Sequence, residues 1–563
     1  MHDTVLIETA DDASIDWRQV TLGSALNSSA SLYPDRIAIV DGDRRMSYAE
    51  LDKAARDLAH GLQSLGIGRR QQVAIWMTNS IDWVVSWMAC AHVGAVVVPI
   101  NTRYKADEVE YILRQSDAVA LIMMDRYWGI DFVGMVNQVV PELAASVPGK
   151  LQCKKLPALK SVLLWKDVQV PGTRDLQTLT TLGAEFHQTG ARLSPQHPGD
   201  AVIIVYTSGT TGHPKGAVHS HIVLQNASNI ARVMHIEPGD VVMGHMPFYH
   251  VAGAITAAAL SILKGCTLVS MPQWDPDHAL DLIERERVSI FGGIPTHFID
   301  CIDAVRKRPR DTSCLKSAWI GGAPVTPDVA LSAKRELGLL ALQVVYGMTE
   351  TTGSTTFSEF DADLEVVCSN KGRPIGDFEV KTVDPQTHRP IDEPGIQGEV
   401  WVRGHLVMMG YYKNDKATAE VITPDGWFRT GDLGTFDDEG YLMITGRLKE
   451  MFIVGGSNAY PAEIERMILS HDSIKQVVVV GVPDARLGEV GFAFVQPKSD
   501  AVPNLEELAA ELKRFCRSQM ADYKVPRTFN VVNEFPRTPT GKIQRFALAT
   551  MARELVSKAQ TAS

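Results

Sequence analysis

Helix and strand signals alternate along the first hundred residues, and this alternation constrains the fold more than any other feature. Ser47 and Glu50 have the spacing of a capping box, in which hydroxyl and carboxylate bind free amides at a helix start. Apolar residues then recur at helical spacing over 51–65, and the apolar run 73–77 predicts a buried strand. Sheets covered by helices follow, so the predicted fold class is α/β.

The chain has 563 residues, too many for one compact core. Near its end the pattern changes: helices are predicted at 461–470 and 505–520, and strands at 477–482, 492–496 and 528–532. These elements are enough for a small α+β domain. We therefore predict a large multi-sheet domain over residues 1–447 and a small, mobile domain over residues 448–563.

Charge and cysteine content narrow the functional classes. The formal charge of −11 gives no attraction for nucleic acid or an anionic membrane. Seven scattered cysteines without a Cys-x-x-Cys pair predict a reduced, cytoplasmic chain, and the first residues resemble no secretory signal. The longest apolar run, 83–100, contains Gly94 and Pro99 and predicts a buried helix and strand, not a membrane span. The oligomeric state stays open, with a homodimer among the alternatives.

A glycine-rich segment carries the strongest functional signal. Residues 206–216 read Tyr-Thr-Ser-Gly-Thr-Thr-Gly-His-Pro-Lys-Gly, directly after a predicted buried strand. Glycines let backbone amides approach a ligand, and the hydroxyls with Lys215 suit phosphate oxygens. No Gly-Lys-Ser/Thr run is present, and the residues after Lys215 are extended, which argues against a P-loop hydrolase. A flexible surface turn is the plainer alternative.

These eleven residues resemble the signature of the adenylate-forming superfamily, which contains acyl-CoA synthetases, luciferases and peptide-synthetase adenylation domains. Further matching segments follow in the family's order and with similar spacing, over roughly residues 20–550. They are Met-Pro-Phe-Tyr-His-Val-Ala-Gly at 246–253, Gly-Gly-Ala-Pro at 321–324, Val-Tyr-Gly-Met-Thr-Glu-Thr at 345–351, Trp-Phe-Arg-Thr-Gly-Asp at 427–432, Gly-Arg-Leu-Lys-Glu at 446–450 and Pro-Thr-Gly-Lys at 539–542.

The resemblance implies an ATP site. Tyr346 offers a ring for adenine, Asp432 a carboxylate for the ribose hydroxyls, and Arg447 a contact to ribose or phosphate. Glu350 is a hard oxygen ligand for Mg²⁺ on the phosphates, beside Thr349. As isolated residues, Tyr346 would be an ordinary core tyrosine and Glu350 a solvated acid. The remaining nucleotide and coenzyme candidates are Thr207, Ser208, Gly209, Thr210, Thr211, Gly212, Lys215, Gly322, Ala323, Pro324, Gly347, Met348, Gly455 and Gly456.

The implied reaction has two halves. An acid attacks the α-phosphorus of ATP, with Lys542 offsetting the charge, and CoA then displaces AMP from the acyl-adenylate. Between the halves the small domain turns about Lys449, and Gly455 and Gly456 then leave a narrow passage for pantetheine. His250 is assigned a gating or orienting role without proton transfer. The implied co-substrates and ion are ATP, CoA and Mg²⁺.

The acid is not specified by these motifs. The predicted acyl pocket contains no charge for a second carboxylate, and the bulk of Ile320 and Val345 favours an aromatic, alicyclic or short-to-medium-chain acid. A carrier-protein acceptor, a luciferase-like oxidase and an inactive nucleotide-binding relative remain alternatives. Glu450 and Ala459 depart from the usual pattern near the hinge and put the thioester step in question. The predicted acyl-pocket residues are Val251, Ala252, Gly253, Ala254, Trp319, Ile320, Gly321, Gly322, Val344, Val345 and Met348.

Overall fold

The computed structural model describes residues 19–165, 170–194, 196–207, 214–455, 457–484, 486–498, 505–538 and 542–561. The strands, in chain order, are β1 (Ile37–Asp41), β2 (Arg44–Ser47), β3 (Gln72–Trp76), β4 (Val96–Pro99), β5 (Ala120–Met124), β6 (Arg126–Tyr127), β7 (Ile130–Asp131), β8 (Ser161–Trp165), β9 (Arg174–Asp175), β10 (Ala201–Thr207), β11 (Lys215–Ser220), β12 (Val241–Gly244), β13 (Thr267–Ser270), β14 (Ile290–Gly293), β15 (Ser317–Gly321), β16 (Ala341–Tyr346), β17 (Thr356–Phe357), β18 (Lys371–Pro374), β19 (Glu379–Val383), β20 (Pro390–Ile391), β21 (Gly398–Arg403), β22 (Gly410–Tyr411), β23 (Phe428–Phe436), β24 (Leu442–Arg447), β25 (Phe452–Val454), β26 (Ser457–Ala459), β27 (Ile474–Asp484), β28 (Gly488–Pro497) and β29 (Thr528–Val531).

Helices cover the faces of these strands. They are α1 (Leu22–Leu32), α2 (Tyr48–Ser64), α3 (Ile81–Val93), α4 (Ala106–Gln115), α5 (Phe132–Val139), α6 (Leu176–Gln188), α7 (Val223–Val233), α8 (Val251–Gly253), α9 (Leu260–Lys264), α10 (Pro276–Glu286), α11 (Pro295–Lys307), α12 (Pro327–Glu336), α13 (Leu364–Cys368), α14 (Asp415–Val421), α15 (Pro461–Leu469), α16 (Leu505–Gln519) and α17 (Arg545–Thr561). A π-helical segment, Ala254–Ala259, joins α8 to α9.

Two large sheets and one small sheet organise the chain. The largest has the order β2-β1-β13-β12-β14-β15-β16-β17-β18-β24-β23-β21-β19-β20, and the second β22-β11-β10-β4-β3-β5-β8-β9. The third has the order β26-β25-β28-β27, with β29 on β28. The mixed α/β class expected from the sequence is confirmed.

Local signals explain why several elements begin where they do. The Ser47 hydroxyl accepts from the Glu50 amide at 3.3 Å, and the Glu50 carboxylate accepts from the Ser47 amide at 2.7 Å, so the capping box at α2 is confirmed. The apolar run 83–100 forms most of α3 and all of β4, with Gly94 left-handed between them. Across the part of the chain that the structure describes, no helix combines the length and apolarity needed to cross a bilayer.

The strands at the centre of the fold are buried on both faces, as continuous apolar runs predict. Residues of β3, β4 and β10 contribute to two apolar cores on opposite faces of the second sheet. The third sheet has a core of its own, drawn from residues 452–552. Its predicted helices and strands are all present, with boundaries extended by several residues only in β27 and β28.

Candidate active site

A cavity of about 1020 Å³ lies where the three sheets meet. The sequence candidates that line it are Thr207, Lys215, His250, Val251, Ala252, Trp319, Gly321, Gly322, Val345, Gly347, Met348, Thr349, Glu350, Asp432, Arg447, Lys449 and Lys542. The described candidates that do not line it are Gly253, Ala254, Ile320, Ala323, Pro324, Val344, Tyr346 and Gly455. The candidates that lie outside the described residues are Ser208, Gly209, Thr210, Thr211, Gly212 and Gly456.

Asp432 is the centre of the first cluster. Its Oδ1 lies 2.8 Å from Nε of Arg447, and its Oδ2 accepts from the Tyr346 hydroxyl at 2.9 Å. Asp432 and Arg447 are paired neighbours on β23 and β24, so the sheet itself fixes this ion pair. The Asp432 carboxylate raises the pKa of Arg447. The Tyr346 ring is held through its hydroxyl beside the cavity, and its stacking on adenine stays a prediction.

Glu350 forms a second cluster with a residue that the sequence motifs did not single out. The Tyr411 hydroxyl donates to Glu350 Oε1 at 2.8 Å, and Lys215 Nζ lies 5.1 Å from the centre of the Tyr411 ring. Tyr411 reaches this place because β22 pairs with β11, which follows the glycine-rich loop. No local pattern in the sequence announces a pairing between strands so far apart along the chain. Tyr411 therefore contacts both Lys215 and the Glu350 carboxylate.

Lys542 enters the cavity from the small third-sheet region. A Cβ added at Gly322 would lie 3.5 Å from Lys542 Cε, and Gly322 has a φ of 76°, in the left-handed region that favours glycine. Surrounding protein lowers the pKa of Lys542, as does the charge of Arg447, while Asp432 and Glu350 oppose this shift. The ammonium thus lies among the charged groups of both clusters, where an added phosphate would favour its protonated form.

Two arginines, one on each side of Lys542 in the sequence, anchor the segments that flank it. Arg537 donates to Thr296 Oγ1 at 3.2 Å, at the start of α11, and to Gln476 Oε1 at 2.7 Å, on β27. Arg545 lies 3.4 Å from Glu450, just past the predicted hinge. Arg537 therefore links the chain before Lys542 to the large sheet region, and Arg545 links the chain after it to the segment beside the predicted hinge.

His250 stands where the polar and apolar parts of the cavity meet. It is the N-cap of α8, and its Nδ1 accepts from the Ala252 amide at 3.2 Å. Burial, together with the Lys542 charge, lowers the pKa of His250 to about 3. A neutral imidazole whose Nδ1 is an acceptor is suited to positioning α8, while its role towards substrate stays a prediction.

The apolar part of the cavity corrects one expectation. Ile320 does not face it: along β15 the side chains alternate, so Trp319 and Gly321 point to the cavity and Ile320 packs into another core with Phe298 and Val344. Trp319, not Ile320, supplies the bulk that narrows the acyl side. Gly253 is enclosed, because a Cβ there would lie 2.2 Å from the Pro247 carbonyl oxygen.

The chemistry of these side chains suits a bound nucleotide. Its phosphates would lie near a lysine, and an apolar chamber would lie beside them. Asp432 can accept ribose hydroxyls, Glu350 and Thr349 offer hard oxygens, and Lys542 offers charge near a reacting phosphorus. A fold of two large sheets and a small lysine-bearing domain around such a cavity defines an adenylate-forming enzyme.

Comparison with known proteins gives the family. Residues 26–412 match the AMP-binding enzyme family and residues 463–542 match the AMP-binding enzyme C-terminal domain. The chain belongs to the AMP-binding enzyme family, and the expected class of AMP-forming acid–thiol ligase is confirmed.

Relatives and solved structures agree with this assignment. The chain is 36% identical to the putative acyl-CoA synthetase YngI of Bacillus subtilis (strain 168), over 95% of this chain and 97% of the relative. It is 32% identical to the mouse mitochondrial medium-chain acyl-CoA ligase ACSF2, over 94% and 87%. It is 33% identical to a (methyl-dioxo-octahydro-indenyl)propanoyl:CoA ligase of Rhodococcus jostii (strain RHA1), over 94% and 98%. ATP-bound MatB from Rhodopseudomonas palustris superposes with a TM-score of 0.80 at 27% identity, over 95% and 100%.

Proposed function

We propose that the chain ligates a compact apolar carboxylic acid to CoA, and that the acid carries an aromatic or alicyclic ring or a short-to-medium chain. One observation carries the proposal: a single cavity holds Lys542, the Asp432–Arg447 pair and Glu350 at one part and an apolar wall at another. Two of the relatives are named for a medium-chain and an alicyclic acyl group, which supports the same acid classes here.

In the first half-reaction a carboxylate oxygen attacks the α-phosphorus of ATP, the P–O bond to pyrophosphate breaks, and an acyl-adenylate forms. The acid is already ionised at neutral pH, so no general base is needed. Asp432 accepts the ribose hydroxyls, and Lys215 with the 207–212 hydroxyls and amides binds phosphates. Lys542 offsets the charge that develops between the two approaching anions.

The residues fit a magnesium ion carried by the nucleotide. Glu350 and Thr349 present hard oxygen donors at the cavity wall, and no group of three or more His, Cys, Asp or Glu side chains that could hold an ion occurs among the described residues. Such a sparse set suits Mg²⁺, which binds through one or two carboxylates plus substrate phosphates. When bound, the ion would neutralise phosphate charge. Tyr411 holds the Glu350 carboxylate in position for it.

In the second half-reaction the CoA sulfur attacks the acyl carbonyl, a C–S bond forms, and the C–O bond to AMP breaks. Lys542 occupies the cavity in this structure, and Gly455 is not among the lining residues. We place the domain junction between residues 447 and 448 and the hinge at Lys449, so that rotation there withdraws Lys542 and brings in Gly455 and Gly456.

A cytoplasmic location accords with seven cysteines that are all free thiols.

The test is pyrophosphate release from Mg-ATP over a panel of carboxylic acids, with and without CoA, beside Lys542→Ala. We expect one acid class to drive release, CoA to accelerate turnover, and a thioester to appear. The Lys542→Ala enzyme should release pyrophosphate about 10²–10³ more slowly.

Two outcomes would change the assignment. CoA could fail to accelerate pyrophosphate release, and no thioester could form. The acceptor of the acyl group would then be something other than CoA, such as a carrier protein. ATP binding without release for every acid in the panel would contradict the ligase proposal.

A further inference from the structure

Trp319 lies between two apolar spaces. Its indole lines the large cavity and also a small recess of about 10 Å³ behind it. Met246, Ala252 and Thr256 border both spaces, so they adjoin each other at the indole. A recess of this size is at the lower limit for holding one water molecule, so the indole leaves almost nothing open behind it.

The position of the indole depends on the residue beside it. Gly292 on β14 is the paired neighbour of Trp319, and a Cβ there would lie 2.0 Å from Trp319 Nε1. The indole therefore lies directly against the Gly292 backbone. On the other side the paired neighbour is Gln343, whose Nε2 donates to the carbonyl oxygens of Val233 and Ser358 at 2.9 and 2.8 Å. Gly292 thus leaves room for the indole over β14, and Gln343, held by its two hydrogen bonds, occupies the neighbouring position on β16.

The recess is apolar. Its far walls are Met234, Ile236, Val242 and Ile290, and no charged side chain of the described residues lines it. Thr256 contributes a hydroxyl, but that hydroxyl already donates to the Ala252 carbonyl. Since an unpaired polar group would be costly there, an occupant must be hydrocarbon. The flexible methionine side chains that line the recess can adjust to the shape of such an occupant.

We propose that Trp319 sets the size limit of the acid by closing this recess off from the acyl chamber. The inference rests on the proposed ligase function and sharpens its substrate class: apolar acids whose far end, a compact ring or short chain, stops against the indole. Thr256 and Ala257 of the π-helical segment Ala254–Ala259 also line the recess, and the small alanine side chain leaves room for a longer chain once the indole is absent. The carboxylate remains at the Lys542 end, because the recess has no charge to receive it.

The test compares kcat/KM for acyl-CoA formation along a series of straight-chain acids and a series of phenylalkanoic acids. Trp319→Ala and Trp319→Leu should move the optimum to longer acids. One methylene in an apolar pocket is worth about 10–200-fold, so the ratio of long to short acid should rise by at least ~10-fold. The KM for ATP should change less than about twofold, which also shows that each variant is folded.

Val345→Ala is the matched control, because Val345 lines the chamber but not the recess. It should raise activity on slightly bulkier acids without moving the chain-length optimum to that of the Trp319 variants. If the chain-length optimum is unchanged in both folded Trp319 variants, or if Val345→Ala shifts it equally, Trp319 does not set the size limit of the acid. A wild-type enzyme that ligates no acid in the panel would instead contradict the proposed function, and acid-binding isotherms of the same variants would then decide the gate separately.

Discussion

The two parts of the cavity are built by different means. The nucleotide part consists of charged and hydroxyl side chains tied to one another, such as Asp432 with Arg447 and Glu350 with Tyr411. The acyl part consists of apolar side chains, with Trp319 lying on Gly292. The first depends on functional groups, which a motif preserves, and the second on shape, which many sequences can supply. Changes in the first should therefore affect every acid alike, and changes in the second should separate one acid from another.

Lys542→Ala should give the largest effect. Adenylate formation should fall about 10²–10³-fold for all acids, because the charge that offsets the transition state is lost. Thioester formation from supplied acyl-adenylate and CoA should change far less, since the proposed hinge withdraws Lys542 before that step. Single-turnover assays of each half-reaction measure this split. Equal losses in both halves would contradict the rotation.

Asp432→Asn should come next. Arg447 would lose a charged partner at 2.8 Å, and the ribose hydroxyls a charged acceptor. Hydrogen bonds to charged groups contribute about 1.5–3 kcal/mol, so kcat/KM for ATP should fall roughly 10–100-fold, by the same factor for every acid. Asp438→Asn, at an exposed site on the following turn, is the control and should leave kcat/KM for ATP unchanged. A loss that depended on the acid would break the separation between the two parts.

Tyr411→Phe should have a smaller effect of the same kind. The change removes the 2.8 Å hydrogen bond to Glu350 and keeps the ring under Lys215. A hydrogen bond to a carboxylate contributes about 1.5–3 kcal/mol. Tyr411 acts on the nucleotide only through Glu350, so the Mg²⁺ or ATP concentration needed for half-maximal rate should rise by less, about 2–10-fold. Tyr412→Phe is the matched control, since its hydroxyl bonds Asp117 at 3.0 Å outside the cavity. An equal effect in both variants would rule out a positioning role for Tyr411.

His250→Asn should change least. The folded-state pKa of His250 is about 3, below its ordinary value, so the ring gains a proton only as the pH falls towards 3. Between pH 5.5 and 8 the ring therefore stays neutral, and Asn can still cap α8. The pH profile of adenylate formation should keep its shape in the variant. If a step near pH 6.5 disappears on substitution, His250 does take part in proton transfer.

The sequence predicts these two parts unequally. Motif residues such as Asp432, Arg447 and Lys542 are recognisable because their chemistry requires particular functional groups at fixed positions, and the structure brings them into one cavity. The capping box and the small-domain strands were predictable because they depend on local spacing. Tyr411 was missed because its role comes from a pairing between distant strands.

Ile320 shows the other limit. It was assigned to the acyl pocket from its place in a motif, but side-chain direction along β15 puts it in a different core. Which face of a strand lines a cavity depends on the elements packed around the strand and not on the strand's own sequence. The packing of Trp319 on Gly292 likewise involves two residues that no single motif contains.

The largest sheet runs without interruption from the strands beside the acyl chamber, β14 to β16, to the strands that carry Asp432 and Arg447. A continuous hydrogen-bonded sheet keeps a fixed distance between its members and resists compression. The proposed binding sites for the acid and for ATP therefore lie on one rigid sheet, and binding of one substrate does not have to change the shape of the other's site. The two substrates should then bind in either order with nearly additive free energies, and the order of events should be imposed only later, by the proposed rotation of the lysine-bearing domain.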